Sequence, residues 1–196
     1  MSILTSLHFR KLSPDEKLKP FKCSKDDLTE FFTNDSSSYM RQLLAVTYTF
    51  ENDTEVVVYF SVSNDRISRE QAKTKGKIRK LQKDIPGEKH RDAYPAVKVG
   101  RLAVHESYER QGIGSDVLDF IKNFFTLKNK TGCRFITVDA INELLTIKFY
   151  EKNGFSPLTE EDKDERTRLM FYDLFNHIPS PTDDPPPPLD KSGSSI

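Results

Sequence analysis

Cysteine is nearly absent from these 196 residues: Cys23 and Cys133 are the only two, and neither has neighbours at metal-ligand or redox-motif spacing. That excludes a disulfide framework and a cysteine-held metal, and leaves two reduced thiols. Net charge is absent as well, since 30 basic residues balance 30 acidic ones, so the overall balance argues for neither a nucleic-acid nor a membrane partner. No stretch approaches the roughly 18 consecutive apolar residues of a membrane span, and the N-terminal MSILTSLHFRKLSPDEK lacks the apolar core of a signal peptide. A cytoplasmic protein is expected. There is no internal repeat, and the length suits one core-bearing domain, residues 1–177, with accessory segments.

What is present alternates between strand and helix patterns. A mixed first run, SILTSLHFRKL, reads as a strand. In FKCSKDDLTEFF, Ser24 with Asp27 three residues on predicts a capping-box start for a helix near residue 25. LLAVTYTF and EVVVYFSVS flank the turn ENDT and predict a hairpin of strands two and three. A fourth strand is predicted over 96–104 and a helix from about Gly112 whose Val117, Leu118, Ile121, Phe124 and Phe125 face a core. CRFITVDA predicts a fifth strand, and a helix from about Asn142 stops at Asn153-Gly154. TRLMFYDLF reads as the last strand.

Two segments interrupt this rhythm. Residues 64–92 hold ten Lys or Arg against five Asp or Glu and form a basic insert, whose plain reading is a solvated helix or loop and whose functional reading is a polyanion contact. Its charge is opposed by the acidic run TEEDKDER, 159–166, which would attract a cationic amine if it lined an acceptor site. The segment 178–196 carries six of the eleven prolines and reads as a disordered proline-rich tail.

The most informative stretch is AVHESYERQGIGSDVLDFI, an apolar strand end, a charged turn with Gly112 and Gly114, and an amphipathic helix. A helix N-terminus offers unpaired N–H groups and partial positive charge, which suit a phosphate or pyrophosphate. No Gly-Lys-Ser/Thr follows, so this is not a Walker loop, and the third glycine of a dinucleotide fingerprint is missing.

The stretch VGRLAVHESYERQGIGSDVL, followed by VDAINELLTIKFYEKNGF, resembles the two signatures of the GCN5-related N-acetyltransferase (GNAT) superfamily. The layout over residues 20–175 is closest to the TacT-type branch of tRNA-acetylating toxins. The resemblance implies an α/β (α+β) acyl-CoA N-acyltransferase fold, with a mostly antiparallel mixed sheet of six to seven strands flanked by helices and with strands four and five splayed apart. It also implies an acetyl-CoA-dependent enzyme, with no metal, that moves an acetyl group to a primary amine by direct attack.

Pantetheine would pair with backbone at Leu102, Ala103 and Val104, and the pyrophosphate would sit on Arg110, Gln111, Gly112, Ile113, Gly114 and Ser115. The family's Arg or Gln three residues before the first glycine is Glu109 in this chain. Tyr150 is implied as the general acid that protonates the departing thiolate. Asn142 has two readings, a hydrogen bond to the pantetheine arm and an N-cap. Asp139 and His105 are base candidates by residue type alone. The acceptor stays open among a small molecule, a peptide and an aminoacyl-tRNA, the last with tRNA contact through 64–92. No membrane partner is expected, and dimers are common among fold relatives. A non-catalytic acyl-CoA-binding regulatory module is the alternative of another class.

Overall fold

The computed structural model describes residues 2–83, 85–127 and 131–178; most of the proline-rich 178–196 segment lies outside them. Seven strands form one sheet: β1 (His8–Lys11), β2 (Val46–Glu51), β3 (Val56–Ser68), β4 (Ala93–Val104), β5 (Phe135–Ile141), β6 (Ser156–Pro157) and β7 (Thr167–Asp173). Their spatial order is β1-β2-β3-β4-β5-β7-β6, antiparallel throughout except between β4 and β5. One parallel pair in an otherwise antiparallel seven-stranded sheet is the arrangement that the acetyltransferase resemblance implies.

Period-two patterning sorts the apolar residues onto two faces. Val58, Phe60, Ile136, Val138 and Met170 bury one face under α5 (Ile113–Thr126), whose Val117, Leu118 and Ile121 are fully enclosed. The opposite face has two covers. Phe31, Phe32 and Met40 close over Tyr59 and Ala103; they come from a π turn (Phe31–Asp35), which follows α1 (Asp26–Glu30), and from α2 (Ser36–Arg41). Helices α3 (Arg69–Ala72) and α4 (Lys75–Gln82) close over Ile67, Ala96, Phe135 and Phe171. The last helix, α6 (Leu144–Lys152), ends on Gly154 at φ +82°, the left-handed terminator its Asn-Gly pair predicts.

Three local expectations are corrected. The predicted first strand is present but short: a 3-10 turn, Ile3–Ser6, takes its first half and β1 begins at His8. The first helix is capped at Lys25 with no side-chain bond, so Ser24 and Asp27 form no capping box; the Ser24 N–H turns instead to Glu109. The basic insert is not a separate loop, because Asn64–Ser68 continue β3 in register with β4 and Ala72 and Leu81 are buried against the sheet.

The feature that makes the site is in β4. Its pairing with β3 runs Ser61↔Arg101 and then Val62↔Val99, leaving Gly100 as an extra residue, a β-bulge. Before the bulge the odd-numbered Val97 and Val99 face α5, and after it the even-numbered Leu102 and Val104 do. Pairing with β5 covers only Ala96↔Phe135 to Lys98↔Thr137 and stops just short of the bulge. Beyond that point β4 and β5 diverge.

Candidate functional site

A cleft of about 880 Å³ occupies the gap between the diverging strands. One wall is Val99–Val104 of β4. The floor of the opposite wall is Asp139–Ile141 of β5, continued by Leu145, Phe149 and Tyr150 of α6.

The β4 wall has free backbone groups for a simple reason. The His105 N–H donates to the Val57 carbonyl at 2.8 Å. Antiparallel pairs alternate between bonded and non-bonded positions, so Ala103 and Arg101 are bonded to β3 as well. The N–H and C=O of Leu102 and Val104 therefore face the gap. Of the three residues expected to meet a pantetheine arm, Leu102 and Val104 turn backbone to the cleft, and Ala103 turns its backbone to β3.

The glycine turn closes the far end. Arg110 at φ +62° and Gly112 at φ +85° are both left-handed, which bends the chain twice before α5 starts. The first helical bonds are from Ser115 and Asp116 to the Gly112 carbonyl. Among the described residues no acceptor faces the N–H groups of Arg110, Gln111, Gly112, Ile113 and Gly114. Five consecutive donors at a helix N-terminus make an anion cradle. Arg110, Gly112, Ile113, Gly114 and Ser115 line the cleft. The Gln111 side chain turns away and donates to the Ser107 carbonyl at 3.2 Å. Glu109, at the position where the family pattern differs, accepts the Ser24 N–H at 2.9 Å and so ties the cradle to the N-terminal segment.

Tyr150 is partly buried, its ring packed edge-on against Phe149 and Phe155. Its hydroxyl has no hydrogen-bond partner among the described residues, and burial pushes its pKa up to about 12. Asn142 lies before α6, whose N-cap is Glu143, so the N-cap reading of Asn142 is corrected. Its amide instead donates to the Lys163 and Glu165 carbonyls at 2.6 and 2.9 Å, pinning the loop before β7, and it does not line the cleft.

Asp139 lines the cleft with its carboxylate paired to Lys98 across the fork. His105 lies outside it, accepting the Ser107 N–H at 3.2 Å and facing Glu55 at 3.4 Å. Three of the five carboxylates of the acidic run are engaged internally. Glu160 and Asp162 meet Arg168 at 3.4 and 3.2 Å, and Glu161 meets Lys73 of the basic insert. Arg101 and Arg166 add positive charge to the cleft, where Lys25 is paired with Glu143 at 3.7 Å, while Leu145 and Ile141 rim it with exposed apolar surface. Sequence reading missed Asn153, whose buried side chain donates to Ser115 on α5.

No described helix is long and apolar enough to cross a membrane, and no described cluster of His, Cys, Asp or Glu could hold a metal. Residues 76–157 match the family model described as an acetyltransferase (GNAT) domain. No curated protein sequence matches the chain. Among solved structures, AtaT complexed with acetyl-methionyl-tRNAfMet has TM-score 0.70 at 22% identity, covering 87% of this chain and 96% of that one. AtaTR bound with AcCoA has TM-score 0.67 at 26% identity, covering 87% and 95%. A tyrosine-to-phenylalanine mutant of KacT has TM-score 0.68 at 21% identity, covering 87% and 96%.

Proposed function

We propose that the chain is an acetyl-CoA-dependent N-acetyltransferase of the GNAT type, moving the acetyl group directly to a primary amine with Tyr150 as general acid; the acetyltransferase (GNAT) domain match over residues 76–157 and the fold shared with AtaTR bound with AcCoA support it. The observation that carries this reading is the row of five N–H groups, unpaired among the described residues, opening onto a cleft that leads along a free strand edge to a phenol with no described partner. Pyrophosphate takes the cradle, the amides of pantetheine pair with Leu102 and Val104 as an added strand would, and the thioester is brought toward Tyr150.

The chemistry then needs little from the protein. The amine nitrogen attacks the thioester carbonyl, the C–N bond forms and the C–S bond breaks. As sulfur takes on charge, the Tyr150 hydroxyl donates its proton to it. The phenolate regains a proton from the ammonium just formed, directly or through water, so the side chain ends each turnover as it began. A phenol at about 12 is a weaker acid than an ordinary thiol near 8.5. Donation is therefore tied to C–S cleavage and to release of the ammonium proton. No dedicated base is required, and Asp139 serves by its ion pair with Lys98 to hold the fork.

The sign of the Tyr150 shift has a direct consequence. Burial raises the pKa, so the proton-bearing form persists well above the ordinary tyrosine value of about 10. At saturating acetyl-CoA, kcat is expected to stay flat from neutrality to about pH 10, where an unshifted tyrosine would already be half ionised. A half-maximal fall in kcat near pH 10 or below, with the amine fully deprotonated, would count against Tyr150 as the acid.

For the acceptor, aminoacyl-tRNA is the reading that two observations favour. The fold is that of a protein solved with acetyl-methionyl-tRNAfMet. The acidic loop that would attract a cationic amine has Glu160, Glu161 and Asp162 engaged internally, whereas Arg101 and Arg166 remain at the cleft. The test is thiol release from acetyl-CoA with charged tRNA, polyamines or a lysine-rich peptide, each at 50 and 200 mM salt. Turnover on charged tRNA is expected, with KM rising about tenfold or more over that interval as phosphate contacts are screened. Turnover confined to the polyamine or peptide would overturn the tRNA reading, and coenzyme binding without turnover on any acceptor would overturn catalysis.

A further inference from the structure

Asn153 is 8% exposed at the C-terminus of α6, although a solvated cap would end the helix as well. Its amide nitrogen faces two oxygens, the Phe149 carbonyl at 2.8 Å and the Ser115 hydroxyl at 3.1 Å. A carbonyl can only accept, so the group facing Phe149 is the NH2, and the same NH2 spends its second proton on Ser115 Oγ. The first bond closes the end of α6. The second crosses to the first turn of α5, where Ser115 lines the cleft beside the anion cradle. The same two helices are keyed again at Gly114, where a Cβ would stand 3.3 Å from the Phe149 ring.

We propose that Asn153 is a positioning residue for the coenzyme. By donating into a lone pair of Ser115 Oγ, it leaves the hydroxyl proton free to point into the cleft. Ser115 then acts as a sixth donor beside the five backbone N–H groups, directed at the pyrophosphate oxygens. Because Asn153 follows Tyr150 by less than one turn, the bond also references the pyrophosphate end of the cleft to the helix that carries the phenol. The inference rests on the coenzyme reading above.

The variant that reverses the polarity is Asn153→Asp. A carboxylate accepts only, so it would draw the Ser115 proton toward itself and set a negative charge beside the cradle. CoA binding to the purified protein, read by calorimetry, is expected to weaken about tenfold or more, the size of a lost charge-assisted hydrogen bond. With S-acetylpantetheine, which lacks the pyrophosphate, the loss is expected to be several-fold smaller, limited to what the carboxylate does to the Phe149 carbonyl it would face.

A second measurement does not depend on that variant. In a cycle of Ser115→Ala, Asn153→Ala and the double variant, the two changes should be non-additive for CoA and additive for S-acetylpantetheine. Wild-type CoA affinity in Asn153→Asp, additive effects on CoA, or equal losses on both thioesters would overturn the inference alone and reduce Asn153 to a helix terminator. Failure of the wild-type chain to bind CoA would overturn the coenzyme reading and the inference with it.

Discussion

Replacing Tyr150 by Phe is expected to lower kcat about a hundredfold or more, while leaving CoA affinity within about a factor of two of the wild type. The substitution removes one oxygen. That oxygen makes no hydrogen bond to a described residue, and the ring that remains keeps its packing on Phe149 and Phe155. Stability should therefore be unchanged, and the loss should appear only in turnover measured at saturating acetyl-CoA. Without the phenol the thiolate must leave unprotonated or draw its proton from water. Turnover equal to the wild type would remove Tyr150 from the mechanism. A parallel rise in KM would instead point to a binding role.

The second large effect is on stability. Phe135→Ala is expected to destabilise the fold by about 3–5 kcal/mol, the usual cost of emptying a buried phenylalanine site. For a chain of this size that lowers the melting temperature by roughly 10 °C. Phe135 is fully enclosed, and its ring meets Tyr94 and Phe171 edge-on. It is also the β5 residue paired with Ala96 at the joint where β4 and β5 still hold together. The cavity would open at the root of the fork, beneath Leu81 of the basic insert. Thermal melting followed by circular dichroism checks the size of the shift. A change under about 1 kcal/mol would mean that the insert collapses into the space, as sites able to relax do.

Where burial imposes a strict period, the sequence was readable. The β2–β3 hairpin, the stripe of Val117, Leu118 and Ile121 on α5, and the Asn153-Gly154 stop all follow from local pattern, and the structure has each of them. The same holds for the glycine turn, because left-handed backbone at Gly112 is a property of the residue itself. Failures came where a long-range partner decided the outcome. Ser24 has the chemistry of a cap, yet its N–H is taken by Glu109, 85 positions away. Asn142 has the chemistry of an N-cap, yet its amide finds the carbonyls of Lys163 and Glu165. The basic insert hid its structural role because Ile67, Ala72 and Leu81 are its only buried apolar residues among those described, set in a run of lysines and arginines. Asn153 was legible as a helix stop but not as a bridge, since nothing local points from α6 to Ser115.

The odd residue at Gly100 also limits how this chain can change in length. Through the bulge, β4 presents Val97 and Val99 and then Leu102 and Val104 to α5, so its parity is inverted at one position. Deleting Gly100 would restore plain alternation and leave the faces as they are, with Arg101 out and Leu102 in. Drawing Gly100 into regular pairing, by contrast, would turn the guanidinium of Arg101 and the ring of His105 under α5, and lift Leu102 and Val104 onto the face now closed by Phe31 and Tyr59. What the deletion removes is the bend that parts β4 from β5, so the core would keep its faces while the cleft lost its fork.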